Sequence, residues 1–140
     1  MLAAYGVGVY NDSEQYLTMH IHREPLYPLF LAFFRAIAGP ETGLVLTAVM
    51  QNVLTASGIF FLIEYLGKKF DLGILGELVL LALELMPHLV TRYVSALGIF
   101  LENSIMSEAL CIPLFHFFLL FTLRIIFEEK KSDVIYSLIF

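Results

Sequence analysis

Two carboxylates one residue apart, Asp12 and Glu14, lie in a polar interval, residues 11–24. The interval reads NDSEQYLTMHIHRE and gives way through PLYP to almost unbroken apolar sequence. Acids so placed can serve as a general base, a metal ligand or an anchor for a sugar hydroxyl. On a helix, positions i and i+2 point about 200° apart, so the two could not face one substrate atom. One would then be catalytic and the other structural. The alternative is a solvated loop ahead of a membrane helix.

Three more groups of polar residues offer chemistry. His20, His22 and Glu24 form an H-x-H-x-E pattern. On a strand these share a face and could bind a divalent metal; on a helix only His20 and Glu24 align. The segment lacks strand alternation and reads as a polar interfacial stretch. Glu77 and Glu84 lie two helical turns apart in an apolar run and so share a helix face. Ionisable groups in a membrane are costly and point to ion or proton handling. Equally, the two acids could face a bundle interior and bond to Gln51 or Asn52. Glu108 follows Ser104, Met106 and Ser107 at a helix start, where an acid favours the helix dipole or faces a substrate. The aromatics Phe115, Phe117, Phe118 and Phe121 read as lipid and helix contacts, and the single Cys111 as a small packed hydrophobe.

Composition says what holds these residues. Of 140 residues, 59% are hydrophobic and 15% charged, with a mean hydropathy of +0.84. Soluble domains carry about 25% charge. The runs lack the polar faces that a soluble helix needs, so the chain reads as an all-α, polytopic membrane helix bundle. The net charge of −5 comes with no basic stripe, which excludes a nucleic-acid binder. No cleavable signal peptide is read in residues 1–10.

The expected layout is a single partial transmembrane domain. Residues 1–25 form an acidic loop. Residues 26–39, interrupted by Arg35, are too short to span, and read as an interfacial or re-entrant helix. Pro25 and Pro28 suit its entry, and Gly39-Pro40 ends it. Spans follow at 42–66, 72–89 and 104–127. The first is closed by Gly67-Lys68-Lys69 and the second by Met86-Pro87-His88. A looser stretch, 90–103, carries Arg92, Tyr93 and Glu102. Residues 134–140 read as the start of another, truncated span.

Lys68 and Lys69 follow the first span, and Lys130 and Lys131, near Arg124, follow the third. Alternating spans put these on one side, opposite Arg23, Arg35 and Arg92. The positive-inside rule makes the lysine side cytoplasmic. The acidic interval and the outer end of the third span, with Glu102 and Glu108, then face outward together.

The ordered series NDSEQY (11–16), REPLYPLFLAFFRAIAG (23–39), Gln51 and SEAL (107–110) resembles the membrane glycosyltransferases of the GT-C type. The nearest likeness is to the family 39 and dolichyl-phosphate-mannose or aminoarabinose transferase-like group. The resemblance implies transfer of a sugar from a polyprenyl-phosphate donor to an acceptor on the outer face. It implies Asp12 as general base, with Glu14 second. Arg23 and Arg92 would stabilise the lipid phosphate, Tyr16 and Tyr27 would line a sugar pocket, and Glu108 would be a further acid at the site. No organic cofactor is implied, while a divalent metal is compatible with the reaction. Such enzymes carry more spans, so the resemblance also implies an N-terminal portion acting with the remaining helices of a longer enzyme.

Overall fold

A computed structural model describes residues 6–10, 13–20, 24–94 and 100–128. Among them are five α-helices: α1, Ser13–Leu17; α2, Leu26–Ala38; α3, Pro40–Phe70; α4, Gly73–Tyr93; and α5, Ser107–Glu128. A 3-10 turn, Leu101–Asn103, lies between α4 and α5. The helices α3, α4 and α5 are long and apolar enough to cross a membrane. The chain is thus an all-α protein with three candidate spans, and those spans associate it with a lipid bilayer. The stub read at 134–140, with Lys130 and Lys131, lies outside the described residues.

The helix ends differ from the sequence reading in instructive ways. Gly39 both ends α2, donating its N–H to the Arg35 carbonyl at 2.9 Å, and starts α3, accepting from the Gly43 N–H at 2.9 Å. Its φ of 85° is the conformation glycine adopts readily. Pro40 then opens α3, where a missing N–H costs nothing. So Gly-Pro is a corner without a loop. The Gly67-Lys68-Lys69 stretch does not stop α3, which runs one turn further to Phe70 and is capped by left-handed Asp71. Lysines in a last turn suit the negative end of the helix dipole. Likewise Pro87 does not end α4, which takes in Arg92 and Tyr93. The acidic loop contains the short helix α1.

Because the corner is so short, α2 folds back along α3. Arg35 meets Gly43 near the corner, and Tyr27 meets Gln51 at the far end. This short apolar helix therefore lies antiparallel to the first turns of a candidate span. It is apolar all round: Tyr27, Leu31 and Phe34 are buried, while Leu26, Leu29, Phe33 and Ile37 are exposed. Such a helix suits protein on one side and lipid on the other.

The spans α3 and α5 run parallel. Asn52 pairs with Asn103 at one end, Gly58 meets His116 midway, and Lys69 reaches the Phe127 carbonyl at the other. At that second end Lys68, Lys69 and Arg124 all gather. The core of buried side chains, Tyr16, Tyr27, Leu31, Ile105 and Leu110, sits at the opposite end, where the N-terminal segment and α2 meet residues 104–110. Phe115 and Phe118 are exposed, as lipid contacts would be.

Close approach of α3 and α5 depends on Gly58, where an added Cβ would stand 2.8 Å from the His116 Cβ. Overpacking of this kind costs about 1–3 kcal/mol. Gly58→Ala is therefore expected to lower stability by that amount in a mixed-micelle unfolding titration followed by circular dichroism. An unchanged midpoint would mean that the two helices do not meet at this position.

Candidate functional site

Residues 100–106 cross between α4 and α5 without regular α-helix, and most are buried. Their backbone groups need partners. The N-terminal segment supplies them. Gly8 donates its N–H to the Asn103 carbonyl at 2.9 Å and accepts from the Ile105 N–H at 2.8 Å. Ser13 Oγ donates to the Ile105 carbonyl at 2.8 Å while accepting the Tyr10 N–H at 2.8 Å. This docking fixes α1, and Tyr16 on α1 then shares a 2.9 Å hydrogen bond with Ser107. Ser107 Oγ in turn donates to the neighbouring Glu108 carboxylate at 3.3 Å. The acidic interval and the start of the third span thus come to one end of the molecule.

Of the acids singled out by sequence, Glu14 is exposed on the first turn of α1 and Glu108 is exposed on the first turn of α5. Asp12, His22 and Arg23 lie outside the described residues. His20 and Glu24 are both exposed. Among the described residues no three His, Cys, Asp or Glu side chains are grouped to hold a metal ion. Arg92 ends α4 with its guanidinium over the Tyr93 ring, 5.2 Å from the centroid.

The two tyrosines do not line an open pocket. Tyr16 and Tyr27 are 3% and 2% exposed and pack edge to face at 5.1 Å. Gln51, fully buried on α3, donates to the Tyr27 hydroxyl at 3.3 Å. Their rings fill the core, and their hydroxyls hold Ser107 and Gln51. They position the site and have little surface left for a sugar. Burial drives the Tyr27 phenol well above the usual tyrosine range, although hydrogen bonds from Gln51 and the Met106 backbone pull the other way.

A second polar constellation lies deeper. His88 on α4 contacts the buried carboxylate of Glu102, and His116 Nε2 stands 3.0 Å from Glu84 Oε2. Glu84 therefore bonds neither to Gln51, engaged with Tyr27, nor to Asn52, whose amide donates to Ala48 and Asn103. Glu77 lies two turns further along, against Gly67, where any Cβ would collide with its carboxylate. Glu77, Glu84 and His88 form one stripe of α4, since spacings of seven and four residues return to the same face. Most of the remaining surface of α4 is exposed aliphatic side chain.

The sequence reading does not single out His116, and it takes His88 only as a helix end. Each carries the signal of Glu84, an ionisable side chain amid apolar sequence. What the sequence hides is the pairing. Cys111, read as a packed hydrophobe, is exposed on α5 beside a cavity of about 440 Å³ that Glu84, His88, Glu108 and His116 also line.

Two outcomes test this geometry. Ser13→Ala removes both hydrogen bonds of its hydroxyl and leaves a buried carbonyl short of a partner, a loss of about 1–3 kcal/mol. Faster hydrogen exchange at the Tyr10 and Ile105 amides is the expected readout; unchanged protection would mean that the segment does not dock through Ser13. The raised Tyr27 means that the folded state prefers the neutral phenol. That contribution is complete below the ordinary tyrosine value of about 10 and is lost as pH rises beyond it. Alkaline unfolding, followed by tyrosinate absorbance, is expected to shift in Tyr27→Phe, with the variant losing less stability than the parent as pH rises.

Comparison of the chain with protein-family models, with curated proteins and with solved structures finds no match in any of the three.

Proposed function

We propose that this end of the molecule is the acceptor-side acidic site of a membrane glycosyltransferase, working with the remaining helices of a longer enzyme. The observation that supports the reading most is the Tyr16–Ser107 hydrogen bond. It ties the NDSEQY interval to the SEAL segment, the two motifs farthest apart in the resemblance. Glu14 precedes one end of that bond and Glu108 follows the other.

In this reading a sugar leaves a polyprenyl phosphate for an acceptor hydroxyl on the outer face. The acceptor oxygen attacks the sugar C1. The bond from C1 to the phosphate oxygen breaks, and its electron pair goes to the lipid phosphate. The hydroxyl proton passes to a carboxylate, with Asp12 as base and Glu14 and Glu108 nearby in sequence to its anchoring groups. Arg23 and Arg92 balance the charge that grows on the phosphate. Tyr16 and Tyr27 act as positioning residues, holding α1 and α2 against the start of α5. Gathering of Lys68, Lys69 and Arg124 at the opposite end supports an outward-facing acidic end by the positive-inside rule.

In native membranes supplied with a labelled polyprenyl-phosphate sugar, Asp12→Asn is expected to lower transfer by about 100-fold or more, the scale of a general base. Membrane insertion should be unchanged. Full transfer in this variant removes the base assignment, and absence of transfer by the parent protein removes the reading. A reporter joined after Lys69 should be cytoplasmic; an outward reporter reverses the topology and places the acids on the wrong side for an extracytoplasmic acceptor.

A further inference from the structure

The paired imidazoles and carboxylates of α4 and its neighbours have no part in the glycosyl transfer proposed above. Glu84, His88 and His116 lie within candidate spans, where ionisable groups are costly to keep, and Glu102 lies in the 3-10 turn between two of them. Their hydrogen bonding dictates how many protons they hold. His116 Nδ1 is 2.8 Å from the Ile112 carbonyl, which can only accept, so Nδ1 carries a proton. Nε2 lies 3.0 Å from Glu84 Oε2. A hydrogen bond there needs one more proton, on the imidazole or on the carboxyl. Either way the pair stores a single mobile proton between two helices, without a fixed cation beside it among the residues that line the cavity.

A cavity links this pair to His88. Glu84, His116 and His88 line one cavity of about 440 Å³, and Glu108 stands at its outer end. His88 also lines a second, of about 320 Å³, with Glu102, Asn52 and Thr55. Thr55 Oγ1 is buried there and has no hydrogen-bond partner among the described residues. A third cavity, of about 420 Å³, shares Ala56, Ile59 and Leu85 with the second, and reaches Glu64 and Glu77 at the inner end. The second and third cavities thus lie along the trough between α3 and α4, while Glu84 stands between His88 and Glu77 on one face of α4. Glu77 to His88 covers about 16 Å of helix axis.

We propose that this seam conducts protons between the two membrane faces, with Glu102–His88 and Glu84–His116 as relay pairs and Glu77 as the inner terminus. A proton entering from the outer side is taken up by the Glu102–His88 pair. It passes across the cavity that His88 shares with Glu84 and His116 to that pair, which releases its own proton toward Glu77, two turns along the same face of α4. Imidazole suits the task because it can accept at one nitrogen and donate at the other. Bonds between heavy atoms do not change, and the transmembrane gradient supplies the driving force. Charged groups facing the route are few. On α3 they are Glu64 and its partner Lys68, 2.6 Å apart. On α5 it is Glu108, and Arg92 lies at the outer end of α4.

The test is the purified full chain in liposomes that contain a pH-reporting dye, with valinomycin and potassium clamping the membrane potential. An imposed inward proton gradient should acidify these vesicles several-fold faster than protein-free ones, with no sugar donor present. Glu84→Gln can keep a hydrogen bond to His116 but cannot carry the proton, so its flux should fall to the protein-free rate. His88→Gln should do the same at the outer pair, while Glu41→Gln, exposed on the first turn of α3, should match the parent. Helical content by circular dichroism identifies any variant that has failed to fold. Parent flux no faster than protein-free vesicles overturns the proposal, as does parental flux in folded Glu84→Gln. Because the assay needs no donor, failure of the glycosyltransferase reading leaves its result unaffected.

Discussion

Unpaired backbone is the constraint from which this architecture follows. A chain that spans a membrane three times must turn between spans, and its non-helical peptide groups need partners wherever water is scarce. Between α4 and α5 the turn is drawn into the protein: Glu102, Asn103, Ser104 and Ile105 are buried. The chain answers by laying Gly8 and Ser13 alongside it. Once that pairing exists, Tyr16 has a fixed place. Tyr27 packs on Tyr16, and α2 is held against the first turns of α3. The cluster of buried apolar side chains therefore lies at one end of the spans.

Between the spans a different balance applies. Lipid is as apolar as leucine, so burying leucines against one another gains little there. Helix contacts then fall to small residues and polar groups, and both are present. Gly58 brings α3 to α5, and Gly67 admits Glu77. Hydrogen bonds between transmembrane helices contribute only about 0.6–2 kcal/mol each. Such bonds fix the orientation of α4 without locking it, which leaves space on both sides of the helix.

The sequence makes the large elements legible for simple reasons. Long apolar runs read as candidate spans, and Gly39-Pro40 reads as a helix end. Helix ends are harder, because local signals compete with contacts distant in sequence. Gly67 reads as a stop, yet its lack of a side chain serves Glu77 on the next helix. The side-chain partnerships are the least legible. Glu84 and His116 are 32 residues apart, and Tyr16 and Ser107 are 91 apart. Periodicity reveals which face a residue occupies, but not which helix lies opposite. For Tyr16 and Tyr27 the amphipathic side chain misleads, since a phenol equally suits a sugar pocket or a packed core with one polar tip. The meeting of the N-terminal segment with the start of α5 is legible through the alternation of the spans, while the buried histidine pairs emerge only from the packing.

Because α3 and α5 run parallel, the chain must return across the bilayer before it can begin α5. That return is α4. Its presence is demanded by connectivity, whatever surface it buries. Substitution should therefore be strongly asymmetric around its circumference. On the lipid side, Leu75, Val79 and Leu83 need only remain apolar, and exchange among aliphatic residues should be nearly silent. On the inward stripe three positions, 77, 84 and 88, carry nearly all of the helix's individuality. Two chains related by descent could differ at most positions of α4 and still share it, provided that those three were kept.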